Sequence, residues 1–212
     1  GGERVRIRLA DDLKEERSHS VSLSADLYHN FGRVQTNLLV EGVYTILDDV
    51  FALRDLEDTD DGGKIKERYN GSGAAVRGFN VEGRAIFTRW FELQAGVTLQ
   101  QSRYKEPEQW SEDADVPPVR RMFRTPDAYG YFTASFKPVR NFTADLTGTC
   151  TGSMLVQHMA GSGVAQDAAV STPSFFDMNV RLSYDLRIYK EITLQLYGGV
   201  QNLFNAYQKD FD

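Results

Sequence analysis

The 212-residue sequence predicts an all-β protein: an antiparallel up-and-down meander of about eight strands, in a sheet that curls or closes like a barrel. Three observations carry this. Long stretches alternate apolar and polar residues, and side chains alternate across a strand, so each stretch is a ribbon with one greasy and one wet face. Connections alternate between about three to five residues and more than ten. Aromatic residues gather beside the short connections, at Phe31, Trp90, Phe91, Phe136, Phe142 and Tyr189.

The chain begins Gly1-Gly2 without a methionine, which reads as a processed or truncated start. A short alternating piece, Val5 to Leu9, precedes the charged run Asp11-Asp12-Leu13-Lys14-Glu15-Glu16. It predicts a strand remnant and a charged loop, with a helical turn across 12–16 as an option. Residues 1–17 are set apart from a barrel-like segment over 18–212.

The first firm strand is 18–29, where Val21, Leu23, Ala25 and Leu27 alternate with serines and Asp26. A turn at 31–33 leads to a ribbon over 34–54. There Leu39, Val43 and Leu47 put apolar groups on the polar face, as packing inside a lumen would. Residues 56–66 are acidic and predict a long loop. Strands follow from 75, with Phe79, Val81 and Ala85, and over 91–102, with Leu93, Ala95, Val97 and Leu99. These two apolar sets belong on one face, because a one-residue slip of register inverts every side chain. A second long loop spans 104–124. Strands at 127–136 and 142–151 flank a turn at 137–141. A third loop covers 159–172, and strands near 176–184 and 192–205 complete the meander.

Composition narrows function. Thirty acidic against 24 basic residues give a net charge of −6 with no dense basic stripe, so nucleic acid is excluded as a partner. No run approaches the roughly 18 apolar residues of a spanning helix. A mean hydropathy of −0.43 still permits a membrane barrel, where only alternate residues meet lipid. Long loops kept to one end are what such a barrel requires, and aromatics at the short turns suit its interfacial girdle.

The sequence gives no support to a catalytic, cofactor or metal centre. Cys150 is alone, and His19, His29 and His158 lack partners at metal-ligand spacing. The acidic run 55–63 fails as a calcium loop, because from Asp58 the fifth position is Gly62 and the twelfth Tyr69. Gly71-Ser72-Gly73 precedes neither a helix nor a lysine, so it is no phosphate loop. Glu82, Glu92 and Asp145 have no spacing that fixes them as a catalytic pair, and no enzyme is predicted.

The residues 200–208, Val-Gln-Asn-Leu-Phe-Asn-Ala-Tyr-Gln, resemble the penultimate-strand signature of TonB-dependent receptors, with Asn202, Leu203, Phe204 and Asn205 its most specific part. The segments 17–23, 37–44, 124–130 and 151–155 resemble earlier strands of the same barrels. The resemblance implies the C-terminal part of a barrel of roughly 22 strands, without plug domain or final strand. It implies the outer membrane of a Gram-negative bacterium, and active uptake of a scarce nutrient (siderophore, cobalamin, haem or sugar) with TonB-coupled energy. Implied partners are outer-membrane lipid, the protein's own plug domain, the TonB complex and a small nutrient ligand.

Asn80, Glu82, Arg84, Glu92, Gln94, Thr98, Gln100, Asp145, Asn179, Arg181 and Gln195 would then face the lumen. Tyr104, Trp110, Arg120, Arg121 and the loop 159–172 would meet ligand from outside. Two alternatives stay open: a complete small outer-membrane barrel, and a soluble β-sheet ligand-binding module. The strands at 18–29 and 192–205 are expected to close on each other or to pair between copies as an edge-paired oligomer, closure being favoured because antiparallel strands already twist that way.

Overall fold

The computed structural model describes residues 5–56, 64–111, 113–158, 160 and 165–207. These form fourteen strands: β1 (Val5–Leu9), β2 (Arg17–Phe31), β3 (Val34–Asp48), β4 (Phe51–Asp55), β5 (Lys64–Asn70), β6 (Ala74–Thr88), β7 (Phe91–Glu108), β8 (Val119–Arg121), β9 (Ala128–Phe136), β10 (Phe142–Thr151), β11 (Leu155–His158), β12 (Ala168–Ser171), β13 (Phe175–Tyr189) and β14 (Ile192–Val200). The main sheet runs β2-β3-β6-β7-β9-β10-β13-β14, antiparallel throughout, with β8 added beside β7. The eight-strand meander is therefore present. The remaining strands form a three-stranded sheet, β1-β5-β4, and a hairpin, β11-β12.

The register matches the alternation. Phe79, Val81, Gly83 and Ala85 stand directly opposite Leu99, Val97, Ala95 and Leu93. Along β3 the apolar Leu38, Val40 and Tyr44 are exposed, while Asn37, Leu39, Glu41 and Val43 on the other face are half-buried. On β13, Phe176, Leu182, Tyr184 and Leu186 are exposed and Asp177, Asn179, Ser183 and Asp185 half-buried. The less accessible face is thus the polar one, so the sheet curls with its wet side concave. That inverts the arrangement of a soluble protein.

A buried protein core lies almost wholly at one end. Of the buried apolar residues described, Ala10, Val116, Met154 and Val156, with Ala74 at the first position of β6, belong to the end from which β4-β5, β8 and β11-β12 project; Ala134 lies further along the sheet. The total accessible surface is 14949 Å². A compact monomer of 23.9 kDa exposes roughly 9,900 Å², so this sheet leaves about half as much surface again uncovered.

Several expectations are corrected. The outermost ribbons β2 and β14 are not paired with each other, so the sheet is curled but open. An eight-stranded barrel has room inside only for filling side chains, and this concave face carries Arg84, Tyr131, Arg181 and Tyr197, which need a wider lumen. The ribbon after Val34 stops at Asp48, because Asp49 adopts φ 55°. The loop placed at 56–66 ends in strand β5, the second loop contains β8 and the third β12, and β11 precedes the third loop. No helical turn forms at 12–16; a turn at 11–12 leads into extended chain. The strand remnant Val5–Leu9 lies outside the main sheet and pairs in parallel with β5, from Val5 opposite Lys64 to Leu9 opposite Arg68.

Two adjacent aromatics lie over glycines on opposite faces. A Cβ on Gly96 would sit 2.6 Å from the Tyr131 ring, and one on Gly148 would sit 2.2 Å from the Phe132 ring. Both are directly opposed cross-strand pairs, Gly96 with Tyr131 and Gly148 with Phe132.

Candidate functional site in the lumen face and the joined loops

Polar residues at every second position of neighbouring strands meet across the ladder on the concave face. Asn80 opposes Thr98, which donates its hydroxyl to Asn80 Oδ1 at 3.1 Å. Gln94 opposes Arg84 and donates to Glu82 Oε1 at 2.8 Å and to the Tyr131 hydroxyl at 3.2 Å. Arg84 Nε bonds Glu92 Oε1 at 2.5 Å. Further along, Ser135 donates to Asp145 Oδ1 at 2.7 Å and Gln195 to Asp185 Oδ1 at 2.9 Å. Asp145 opposes Arg181, whose guanidinium sits 4.7 Å from the Tyr197 ring centre. Gln100 turns to the Pro126 carbonyl at 2.9 Å. The eleven residues named from sequence as lumen-facing thus share one face by register. Glu82, Glu92 and Asp145 each have a separate hydrogen-bond partner, which ties them into the lining rather than to one another.

The family-signature residues are placed differently from the expected ribbon. β14 ends at Val200, and Asn202 and Asn205 take φ 53° and 50°, so the chain leaves the ladder there. Asparagine tolerates this left-handed region better than most residues. Asn202 clamps the turn: its N–H donates to Asn179 Oδ1 at 2.8 Å, and its side chain exchanges bonds with Ala206 at 3.0 and 2.7 Å. Leu203 N–H reaches the Met178 carbonyl at 2.9 Å, and the Phe204 ring lies 6.2 Å from Phe176. The motif closes the end of a strand rather than continuing it.

The long connections are bonded to one another. Asn70 donates to the carbonyls of Lys14 and Asp49, at 3.0 and 2.7 Å. Lys105 N–H donates to Gly73 at 3.1 Å, Ser111 to Asp167 Oδ2 at 2.5 Å, and Gln166 to Asp113 Oδ2 at 2.7 Å. The Ser111 hydroxyl and the Ala160 N–H hold the Asp167 carboxyl below the usual carboxylate range.

Where these connections meet, Phe51, Tyr104, Glu108, Trp110, Phe123 and Gln157 line a cavity of about 180 Å³. Trp110 packs edge-on against Phe123 at 5.3 Å, and its buried indole N–H has no hydrogen-bond partner among the described residues. Burial, then the nearby Glu108 charge, raises the pKa of Tyr104.

Of the four loop residues named from sequence, Tyr104 and Trp110 share this cavity. Arg121 is engaged elsewhere, donating to the Ser153 carbonyl at 2.7 Å and pairing with Asp127 at 3.5 Å, while Arg120 is exposed. Phe51, Glu108, Phe123 and Gln157 were not anticipated; no periodicity marks them, and only the joining of three loops brings them together. Much of the predicted 159–172 loop lies outside the described residues, as does most of the acidic run 55–63. Among the described residues no cluster of three histidine, cysteine or carboxylate groups fits a metal ion.

A family model described as "TonB dependent receptor-like, beta-barrel" matches residues 4–203. The chain belongs to this family. No curated protein matches it in sequence. Among solved structures it is similar to the outer membrane transporter YddB from Escherichia coli, with a TM-score of 0.65 and 14% identity, covering 98% of this chain and 31% of that one. The FrpB iron transporter from Neisseria meningitidis gives 0.62 and 16%, with coverages of 94% and 29%. The ferric-catecholate import receptor Fiu from K12 E. coli gives 0.60 and 17%, with coverages of 92% and 24%. At such identities the likeness is one of fold. The chain spans about a quarter to a third of the length of these structures.

Proposed function

We propose that this chain is a barrel segment, over residues 18–212, of an outer-membrane receptor that takes up a scarce nutrient with TonB-coupled energy. The observation that carries the reading is the inversion of the sheet, with apolar residues on the exposed face and polar ones on the concave face. In water that arrangement leaves a large greasy surface bare; in a bilayer it is the stable one. Lipid takes the face of Leu93, Ala95, Val97 and Leu99. The strands run up to 15 residues and more, whereas about 9–11 span a bilayer, so their loop-side ends stand clear of the membrane.

In the whole receptor, the lining from Asn80 to Gln195 meets the plug domain, and the bare edges β2 and β14 continue into further strands. Ligand approaches the joined loops, where Tyr104 and Trp110 offer aromatic surface and Arg120 an exposed cation. Similar structures include a ferric-catecholate import receptor and an iron transporter, and siderophore, cobalamin, haem and sugar all remain within the class. The test is uptake by cells carrying or lacking the gene, using radiolabelled ferric siderophore, cobalamin, haem and oligosaccharide in turn. Gene-dependent accumulation of one of them, abolished by a protonophore, supports the reading. Accumulation unaffected by the protonophore, or no gene-dependent uptake of any, overturns it.

A further inference from the structure

We propose that the convex face carries, at its loop end, a site for an outer-leaflet lipid that bears both acyl chains and a phosphate. An acyl chain lies over Gly42, and Arg77 takes the phosphate with Tyr44 beside it. The inference goes beyond nutrient uptake, though it rests on the outer-membrane reading above.

The strand register builds the site. Leu23, Gly42, Phe79 and Leu99 stand side by side across β2, β3, β6 and β7, all on the apolar face. Gly42 breaks this row. A Cβ there would meet nothing within 4 Å, so the surface is dented between Leu23 and Phe79. Two residues nearer the loops, the next row on the same face is Val21, Tyr44, Arg77 and Gln101. Both rows line one groove of about 630 Å³.

The strands also set the depth of the second row. On β7 the convex positions are apolar from Phe91 to Leu99, close to the roughly 9–11 residues with which a tilted strand crosses a bilayer. Phe91 lies against Trp90 and Phe136 at the turn end, an aromatic cluster that marks one boundary. Arg77 and Gln101 are the first polar residues past the other boundary, and Tyr44, 47% exposed, is an aromatic suited to that level. Long loops emerge on the outer side of such barrels, so the lipid at this level belongs to the outer leaflet.

Arg77 is available to an anion. Its Nε and Nη2 donate to Gln101 Oε1 at 2.9 and 2.5 Å, an oxygen without formal charge. It pairs with no carboxylate among the described residues. Asp127, in the groove wall, is engaged by Arg103 and Arg121 at 3.5 Å, and Asp48, further toward the loops on β3, by Lys105. A guanidinium with N–H groups to spare is the donor that phosphate oxygens take.

The experiment uses the full-length protein in mild detergent, with lipid retention read by native mass spectrometry. The probes are lipid A carrying its phosphates and the same lipid chemically dephosphorylated. The wild type is expected to retain the phosphorylated form about fivefold better, the worth of roughly one cation at an anionic lipid surface. Arg77→Gln loses that preference, Arg77→Lys keeps it, and Arg140→Gln at the opposite end leaves it unchanged. Gly42→Leu fills the dent and weakens retention of both forms about fourfold, as losing roughly one buried methylene would. Equal retention of the two forms by the wild type overturns the site, as does displacement by stoichiometric inorganic phosphate. So does an unaltered preference in Arg77→Gln, or a lost one in Arg140→Gln. Should Arg77→Gln misfold, undiminished retention by Gly42→Leu overturns the site independently. Failure of the wild type to sediment with outer membranes overturns the membrane reading, and the site with it; sedimentation without the preference overturns the site alone.

Discussion

Val156 at the loop end has no exposed surface, whereas Val139 at the turn end is 63% exposed. The difference runs through both regions. At the loop end, Met154, Val156 and Thr172 are buried, two small sheets form apart from the main one, and segments far apart in the chain bond each other. At the turn end the connections are two to five residues long and nothing covers the rings of Trp90 and Tyr189. One end brings its own hydrophobic core; the other leaves its apolar side chains exposed.

Changes at the two ends should therefore differ in kind. Met154→Ala empties part of the loop-end core and is expected to cost about 2–4 kcal/mol locally. Limited proteolysis should cut within 153–172 while the main sheet stays protected; uniform loss of protection would show that the two ends fold as one unit.

Smaller effects belong to the turn end. Asn141 holds φ 68° in the β9–β10 turn, so Asn141→Ala is expected to cost about 1–2 kcal/mol in refolding into vesicles, and Asn141→Gly nearly nothing. Equal costs for both would mean the side chain, not the backbone, matters there. Phe91→Leu removes a ring stacked on Phe136 and is expected to cost about 0.5–1.5 kcal/mol in lipid, leaving loop-end protease protection unchanged.

The smallest effect is electrostatic. Asp167 is half-buried and its folded pKa is depressed, so the stabilisation it lends is present above its unfolded pKa and is lost as pH falls through the folded value. Acidification below the ordinary aspartate range should speed amide exchange over 165–172, with no change over β6 and β7. Asp167→Asn should remove this pH dependence; its persistence in the variant would assign the effect to another group.

The same contrast explains what was legible in the sequence. Alternation marked the strands of the main meander other than β9, because a two-residue period accumulates over nine residues or more, and β9 was placed between a loop and a turn. β8, with three residues, and β11 and β12, with four each, are too short to show one. The parallel pairing of Val5 with Lys64 joins residues far apart in the chain, and no local pattern announces it. The shared polar face could be read because polarity alone places a residue on a face. The loop cavity could not, since Phe51, Glu108, Phe123 and Gln157 become neighbours only when three loops lock together. The asparagine-rich motif was recognisable as letters, but its physical role lies in two left-handed backbone positions that a strand reading passes over.

Tyr131 and Phe132 are neighbours in one strand, yet each covers a glycine in a different adjoining strand, on opposite sides of the sheet. This makes β9 a two-toothed key. Sliding β7 by two residues would bring Gln94 or Thr98 beneath the Tyr131 ring, and sliding β10 would bring Leu146 or Cys150 beneath Phe132. Each wrong alignment meets a side chain where the right one meets none. In a barrel whose strands otherwise repeat the same greasy-and-wet rhythm, many alignments preserve the faces, and rhythm alone cannot choose among them. A single dipeptide can, and it does so for three strands at once.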